Sequence, residues 1–141
     1  MGTHWRSGLP RQRKTTHDKY RQVSQSPEEA VLTTRPCVFC EIVARRENAD
    51  ILYEDDEVMV FRNRLRWVPV MLLAVPKQHI SQADLWTDPM ITKVAAAAVD
   101  VGAEQCPNGF RLLANFGHDA MQSQEHGHMH ILGGVHLGPY A

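Results

Sequence analysis

After residue 36, the spacing between hydrophobic residues along the chain changes several times. The segment "VFCEIVARR" (38–46) places apolar residues near helical spacing, which predicts two turns of helix. "ADILYEDDEVMVFRN" (49–63) is typical of two strands joined by an acidic turn at 55–57. The apolar run "VPVMLLAVPK" (68–77), with a proline near each end, predicts a strand buried on both faces.

The rest of the pattern predicts a long helix followed by two strands. Asp88 is expected to cap a helix that has Pro89 at its first position and runs through "MITKVAAAAVDVGAEQ" (90–105). "FRLLANFG" (110–117) and "HGHMHILGG" (126–134) then predict strands. The order β-β-β-α-β-β predicts an α+β fold: an antiparallel sheet of five to six strands with one main helix and one short helix.

Composition divides the chain into two parts. Residues 1–36 carry seven Lys/Arg and three Asp/Glu and lack any clear period, so we predict a flexible basic extension there and one domain at 37–141. The net charge of −1 gives no overall attraction to nucleic acid or anionic membrane. The apolar runs are shorter than the ~20 residues that span a bilayer, and no secretory signal is visible. We therefore expect a cytoplasmic protein with no membrane or nucleic-acid partner.

The densest chemistry lies in "QEHGHMHILGG" (124–134). Alternate residues of a strand share one face, so His126, His128 and His130 are expected to form a row, with Gly127 and Met129 on the other side. Besides an inert strand face, the row is compatible with a three-histidine metal site that keeps an open position. It is also compatible with a nucleophilic imidazole whose neighbours stabilise phosphoryl oxygens. The metal site is hindered because the outer two histidines of a straight strand stand far apart.

Two further groups of residues have chemical potential. Asn115, Gln122 and Ser123 lie just before the row, and their amide and hydroxyl groups can donate to phosphoryl or leaving-group oxygens. Cys37 and Cys40 form a CxxC pair, which in a reducing compartment binds metal or does redox work more often than it forms a structural disulfide. The alternative is that both cysteines are small buried hydrophobes.

Three separated motifs resemble the histidine triad (HIT) family. They are "CVFCEIVARRENADILYEDDEVMVF" (37–61), "VPKQHIS" (75–81) and "QSQEHGHMHILGG" (122–134), the last matching a His-x-His-x-His-x-x pattern. The resemblance covers residues 37–141, and the closing "HILGGVHLGPYA" (130–141) looks most like the nucleoside phosphoramidase branch.

The resemblance implies a homodimer whose sheets join, and a nucleotide substrate that is cleaved at its α-phosphate. It implies that His128 is the nucleophile and forms a nucleotidyl-histidine, that His130 binds phosphate oxygens and assists the leaving group, and that His126 supports the row. The resemblance also implies that Asn115, Gln122 and Ser123 contact the phosphate or the leaving group. It implies that Asn63 contacts the ribose, and that the base is contacted by Val38, Phe39 and Ile42.

The resemblance also implies a structural zinc ion, held by Cys37, Cys40, His79 and His126. Two thiolates and two imidazoles make a closed tetrahedral site, so no position remains for a reactive water. A catalytic metal is therefore not expected.

The sequence departs from the family pattern in two places. Gln124 and Glu125 replace an apolar or aromatic pair, and by alternation Glu125 should face away from the histidines. Arg64 and Arg66 either favour a more anionic substrate or are solvated surface charges, and we expect the latter. The leading hypothesis is a hydrolase of adenosine phosphoramidate-type substrates. The alternatives are a dinucleoside polyphosphate hydrolase, which Asn63 favours, and a non-catalytic nucleotide-binding or scaffolding module.

Overall fold

Five antiparallel strands form the sheet of this protein, and the computed structural model describes residues 36–139 of the chain. The predicted extension at 1–36 lies outside the described residues apart from its last residue. The strands are β1 (Ile51–Glu54), β2 (Val58–Arg62), β3 (Val70–Pro76), β4 (Phe110–Leu113) and β5 (Met129–Gly133). Their spatial order is β1-β2-β3-β5-β4, which confirms the predicted antiparallel α+β class.

The helices are α1 (Val38–Val43), α2 (Gln82–Leu85) and α3 (Met90–Gln105), with a short 3₁₀ helix at His118–Ala120. As predicted, the Asp88 carboxylate accepts a hydrogen bond from the N–H of Met90, at 2.8 Å, where α3 begins. Helix α2 was not predicted, because a single turn is too short to show a period. Between residues 36 and 139, none of the helices has both the length and the apolar character that crossing a membrane requires.

Each face of the sheet is covered by a different helix. On one face α3 buries an apolar cluster that includes Val94, Ala98 and Ile131. On the other face the short α1 contributes Phe39 and Ile42 to a second cluster. Strand β3 supplies both clusters, which is why its sequence is almost continuously apolar, as predicted for 68–77.

Gly127 permits a close approach between the chain before β5 and the segment that leads into α2. A Cβ atom at Gly127 would lie 2.7 Å from a Leu85 methyl carbon, 2.8 Å from the Leu85 Cβ and 3.2 Å from the Ile80 carbonyl oxygen. The backbone N–H of Gly127 donates to that same carbonyl at 2.6 Å. The absence of a side chain at 127 therefore allows α2 to lie directly behind the histidine row.

Candidate functional site

The three histidine rings lie on the α1 face of the sheet. The Phe39 ring contacts the rings of His126 and His128 at centroid distances of 5.6 and 5.4 Å, and the rings of His128 and His130 are 5.1 Å apart. Met129, by contrast, is buried in the cluster beneath α3. The predicted row therefore exists, although β5 begins at Met129 and the first two histidines precede it.

His128 is held in one tautomer by its own backbone neighbourhood. Its Nδ1 lies 2.8 Å from the carbonyl oxygen of His126. Since a carbonyl oxygen only accepts, Nδ1 carries the proton and Nε2 keeps a lone pair. Burial lowers the pKa of His128, whose exposed fraction is 3%. The ring is therefore a neutral imidazole with a nucleophilic nitrogen, and it lines a cavity.

His130 lines the same cavity. Burial, followed by the neighbouring His128, lowers the pKa of His130 to about 4. A neutral ring still carries one N–H, which can donate to a phosphoryl oxygen. His130 can therefore stabilise developing negative charge as a hydrogen-bond donor without being protonated.

His126 has the opposite tautomer and different neighbours. Its Nε2 lies 2.8 Å from the carbonyl oxygen of Pro76, so the proton is on Nε2. Its Nδ1 lone pair points to the sulfur atoms of Cys37 and Cys40, at 3.5 and 3.6 Å. Burial lowers the pKa of His126 to about 4, and the residue does not belong to the cavity lining. The structure thus separates His126 from the other two histidines.

Four donor atoms converge on the side of His126 away from the cavity. One atom each from Cys37, Cys40, His79 and His126 lies within 4.8 Å of the other three. His79 Nδ1 is 3.3 Å from Cys40 Sγ. Burial and then the proximity of Cys37 raise the pKa of the Cys40 thiol to about 11, so two thiolates here require a compensating cation. The donor set, with a histidine lone pair already oriented, fits a four-coordinate metal ion.

A cavity of about 600 Å³ opens beside α1. Seven of the residues predicted for the site line it: Val38, Phe39, Ile42, Asn63, Ser123, His128 and His130. One wall is apolar and is formed by α1 with Phe61 and Leu73, while the histidines and Ser123 form another. A cavity with an apolar wall and a few polar groups suits an aromatic ligand that carries a polar end.

Asn115 and Gln122 do not line this cavity. The Asn115 amide donates to the carbonyl oxygen of Ala120 at 2.7 Å. Gln122 accepts from the N–H of Gly117 at 2.8 Å and donates to the carbonyl oxygen of Gln124 at 3.0 Å. Both amides are thus engaged with the backbone of the loop before the histidine row, and direct phosphate contact by either one stays a prediction.

The two departures from the family pattern have different positions. Glu125 is exposed and outside the cavity lining, consistent with the expectation that it faces away from the histidines, whereas Gln124 lines the cavity. Arg64 and Arg66 are exposed as expected, but both also line the cavity. Their charge therefore acts on whatever the cavity binds.

Gln82 is a site residue that sequence reasoning missed. Its side-chain Oε1 accepts from the His128 N–H at 2.7 Å, and its Nε2 donates to the His128 carbonyl oxygen at 3.1 Å. The pairing of β5 with β3 ends at Met129, so the amide of Gln82 takes the place of a partner strand for His128. Gln82 is only 2% exposed, and because burial is not visible in a sequence, nothing there distinguished it from a surface glutamine.

Comparison with known proteins agrees with this geometry. The family model described as "Scavenger mRNA decapping enzyme C-term binding" matches residues 36–140. An uncharacterized HIT-like protein of Rickettsia prowazekii is 31% identical over 108 residues, which cover 71% of this chain and 88% of the relative. The chain belongs to the HIT family.

Solved structures confirm the HIT fold. A HIT family hydrolase from Clostridium thermocellum is 35% identical, with a TM-score of 0.68 and coverage of 75% of this chain and 96% of that one. A histidine triad protein from Clostridium difficile is 30% identical, with a TM-score of 0.67 and coverage of 74% and 96%. The fold that this HIT protein shares with them therefore spans nearly the whole length of both relatives and about three quarters of this chain.

The contact between Gln82 and His128 predicts a pH-dependent variant. In Gln82→Glu the neutral carboxyl can still donate to the His128 carbonyl, but the ionised form places a buried charge against that oxygen. Burial raises the pKa of such a carboxyl above its ordinary value of about 4.3, so the folded state binds the proton more tightly than the unfolded state. The free energy of unfolding should therefore fall, relative to wild type, by about 1.4 kcal/mol per pH unit between those two pKa values.

Urea denaturation of the variant at several pH values measures this slope. The exposed Gln78 offers a matched control, since Gln78→Glu makes the same chemical change in solvent and should follow wild type within about 0.5 kcal/mol. If both variants follow the wild-type pH dependence equally closely, the carboxyl at 82 is not buried against His128.

Proposed function

We propose that this HIT protein is a hydrolase that cleaves a bond to the α-phosphate of adenosine phosphoramidate-type substrates. The supporting observation is the hydrogen bond of His128 Nδ1 to the His126 carbonyl oxygen, which leaves the lone pair on Nε2 in a cavity-lining residue. The ring can use that lone pair without first losing a proton.

The reaction proceeds in two displacements. In the first, His128 Nε2 forms a bond to the α-phosphorus while the bond to the leaving amine breaks, and the electron pair departs with the amine, which takes up a proton. The imidazole then carries a positive charge, and the carbonyl oxygen of His126, as acceptor of its Nδ1–H, stabilises it. In the second, water attacks the phosphorus and loses a proton, which balances the one taken up by the amine; the P–N bond to His128 breaks, its electron pair returns to Nε2, and nucleoside monophosphate leaves.

The cavity offers each part of a nucleotide a suitable neighbour. His130 and Ser123 can donate to phosphoryl oxygens, and the apolar wall of Val38, Phe39 and Ile42 suits a base. Asn63 Oδ1 already accepts from the N–H of Leu65 at 3.0 Å, so its NH₂ group remains to donate to a ribose hydroxyl.

A fluorogenic adenosine phosphoramidate tests the proposal directly. His128→Ala should lower turnover by about a thousandfold or more, because the variant lacks the imidazole whose Nε2 attacks the phosphorus. His118→Ala is the matched control, since that histidine is fully exposed in the loop and outside the cavity lining, and it should retain wild-type turnover.

Three results would each contradict a different part of this proposal. Equal turnover by wild type and His128→Ala would exclude His128 as nucleophile. Undetectable turnover by the wild type, with nucleotide affinity intact, would favour a non-catalytic binding module. Preference for dinucleoside polyphosphates over phosphoramidates would favour the alternative substrate that the amide of Asn63 suggested.

We further propose that Cys37, Cys40, His79 and His126 hold a structural zinc ion. The ion would join the start of α1, the turn after β3 and the residue that supports His128, because those are the segments that carry the donors. Bound there, it would be held by two thiolates and two imidazoles, which would leave no position for a reactive water.

Metal analysis of the purified protein should therefore find one zinc ion per chain. Cys40→Ser should lose the zinc and lower the free energy of unfolding, because metal binding to the folded state alone stabilises it. Cys106→Ser, at a buried cysteine outside the cluster, should keep the zinc. The proposal would be contradicted if the purified protein contained no metal and if Cys40→Ser and Cys106→Ser were both as stable as the wild type.

Two copies of the chain are proposed to join as a homodimer through a sheet edge. Strand β4 is an edge of the sheet, and its outer backbone groups face no other strand within residues 36–139. Such an edge is a template for pairing with another chain. Sedimentation equilibrium should return twice the chain mass of 16.0 kDa, whereas a value of one chain mass would contradict the dimer.

A further inference from the structure

The cavity carries a net positive charge at the end of β2. Three arginines line it, Arg62, Arg64 and Arg66, and Asp50 is the one carboxylate in the described lining. The three guanidinium groups and the one carboxylate give the lining a formal charge of +2, with the imidazoles counted as neutral. A cavity of this charge attracts a ligand with more than one anionic group.

The three arginines differ in how they are engaged. Arg62 Nε pairs with the Asp50 carboxylate at 2.7 Å, and Arg64 pairs with Glu47, which does not line the cavity. Arg66 has neither an ion pair nor a hydrogen bond with any residue from 36 to 139. Exposed ion pairs contribute little, so the guanidinium of Arg64 can be recruited by a ligand, and none of the Arg66 donors is engaged by the part of the chain that the structure describes.

The position of these arginines relative to the histidines follows from the strand register. His130 pairs with Leu73 across β5 and β3, and Leu73 pairs with Phe61 across β3 and β2. Two strand spacings separate His130 from Phe61, which is roughly 10 Å between backbones. The arginines follow Phe61 in the chain, so Phe61 and Leu73 of the apolar wall lie between the arginines and His130.

The nucleoside is the part of the substrate that extends over this wall. In an in-line displacement the leaving group lies on the far side of the phosphorus from the attacking nitrogen. What remains in the cavity is the sugar and the base, and Asn63, between Arg62 and Arg64 in the chain, has an NH₂ group without a partner among the described residues that it can offer to the sugar. An anionic group that reaches the arginines is therefore attached to the sugar.

We propose that Arg64 and Arg66 bind a second phosphate carried on a ribose hydroxyl, so that the preferred substrates are nucleoside 5′-phosphate derivatives phosphorylated at the 2′ or 3′ position. The planar guanidinium fork matches two phosphate oxygens at once. This inference rests on the proposed function for the direction in which the nucleotide lies.

Calorimetric titration tests the subsite with four ligands of known structure: AMP, adenosine 3′,5′-bisphosphate, adenosine 2′,5′-bisphosphate and ADP. At low salt at least one sugar bisphosphate should bind about tenfold more tightly than AMP, and added salt should reduce that difference. Arg66→Gln should remove most of the difference. Arg45→Gln makes the same change of net charge outside the cavity and should retain it.

The ligands separate the outcomes. Equal affinity for AMP and both sugar bisphosphates would overturn the subsite and leave the two arginines as solvated charges. Tighter binding of ADP alone, abolished in Arg66→Gln, would also overturn it, because the arginines would then serve the phosphate chain. Failure to bind AMP at all would overturn the proposed function together with the subsite. Turnover that depends on His128 without a bisphosphate preference would overturn the subsite alone.

Discussion

The hydrogen bond between His128 Nδ1 and the carbonyl oxygen of His126 determines what the histidine row can do. It fixes the proton on one nitrogen of a buried, neutral ring and leaves the other nitrogen with its lone pair. The contact depends on backbone geometry at 126–128, which is stabilised by the amide of Gln82 on both backbone groups of His128. Loss of that geometry would alter the tautomer even with all three histidines present.

The same stretch gives His126 a different role from its neighbours. Its proton is on Nε2, bound to the Pro76 carbonyl, so its lone pair points away from the cavity to the cysteines. Three identical side chains in alternation are thus divided between the cluster proposed to hold a metal ion and the cavity proposed to bind a nucleotide. A structural metal bound to His126 would therefore lie two residues along the chain from the proposed nucleophile, His128. The metal would stabilise the position of the His126 carbonyl group, which orients the His128 ring.

Features that depend on local period could be predicted from the sequence. The apolar run of β3, the acidic turn before β2, the capped α3 and the shared face of the histidines all follow from patterns over a few residues. Even the close approach behind Gly127 could be predicted, because a glycine between two histidines leaves one face of the segment open.

Features that depend on packing could not be predicted. The partner of His128 is a glutamine 46 positions away, on a helix of four residues. The amides of Asn115 and Gln122 bond to loop backbone, a choice that requires knowing the path of residues 115–124. Arg64 and Arg66 were expected to be surface charges only, since their chain positions do not reveal that the loop after β2 borders the cavity.

The proposed mechanism requires that His128 becomes bonded to phosphorus. Rapid quenching of the protein during turnover of an adenosine phosphoramidate, followed by peptide mapping in a mass spectrometer, tests it most directly. The added mass of AMP should be found on His128, and this adduct should form at least as fast as the product appears. AMP on a different residue, or full turnover by protein that is never modified, would contradict it.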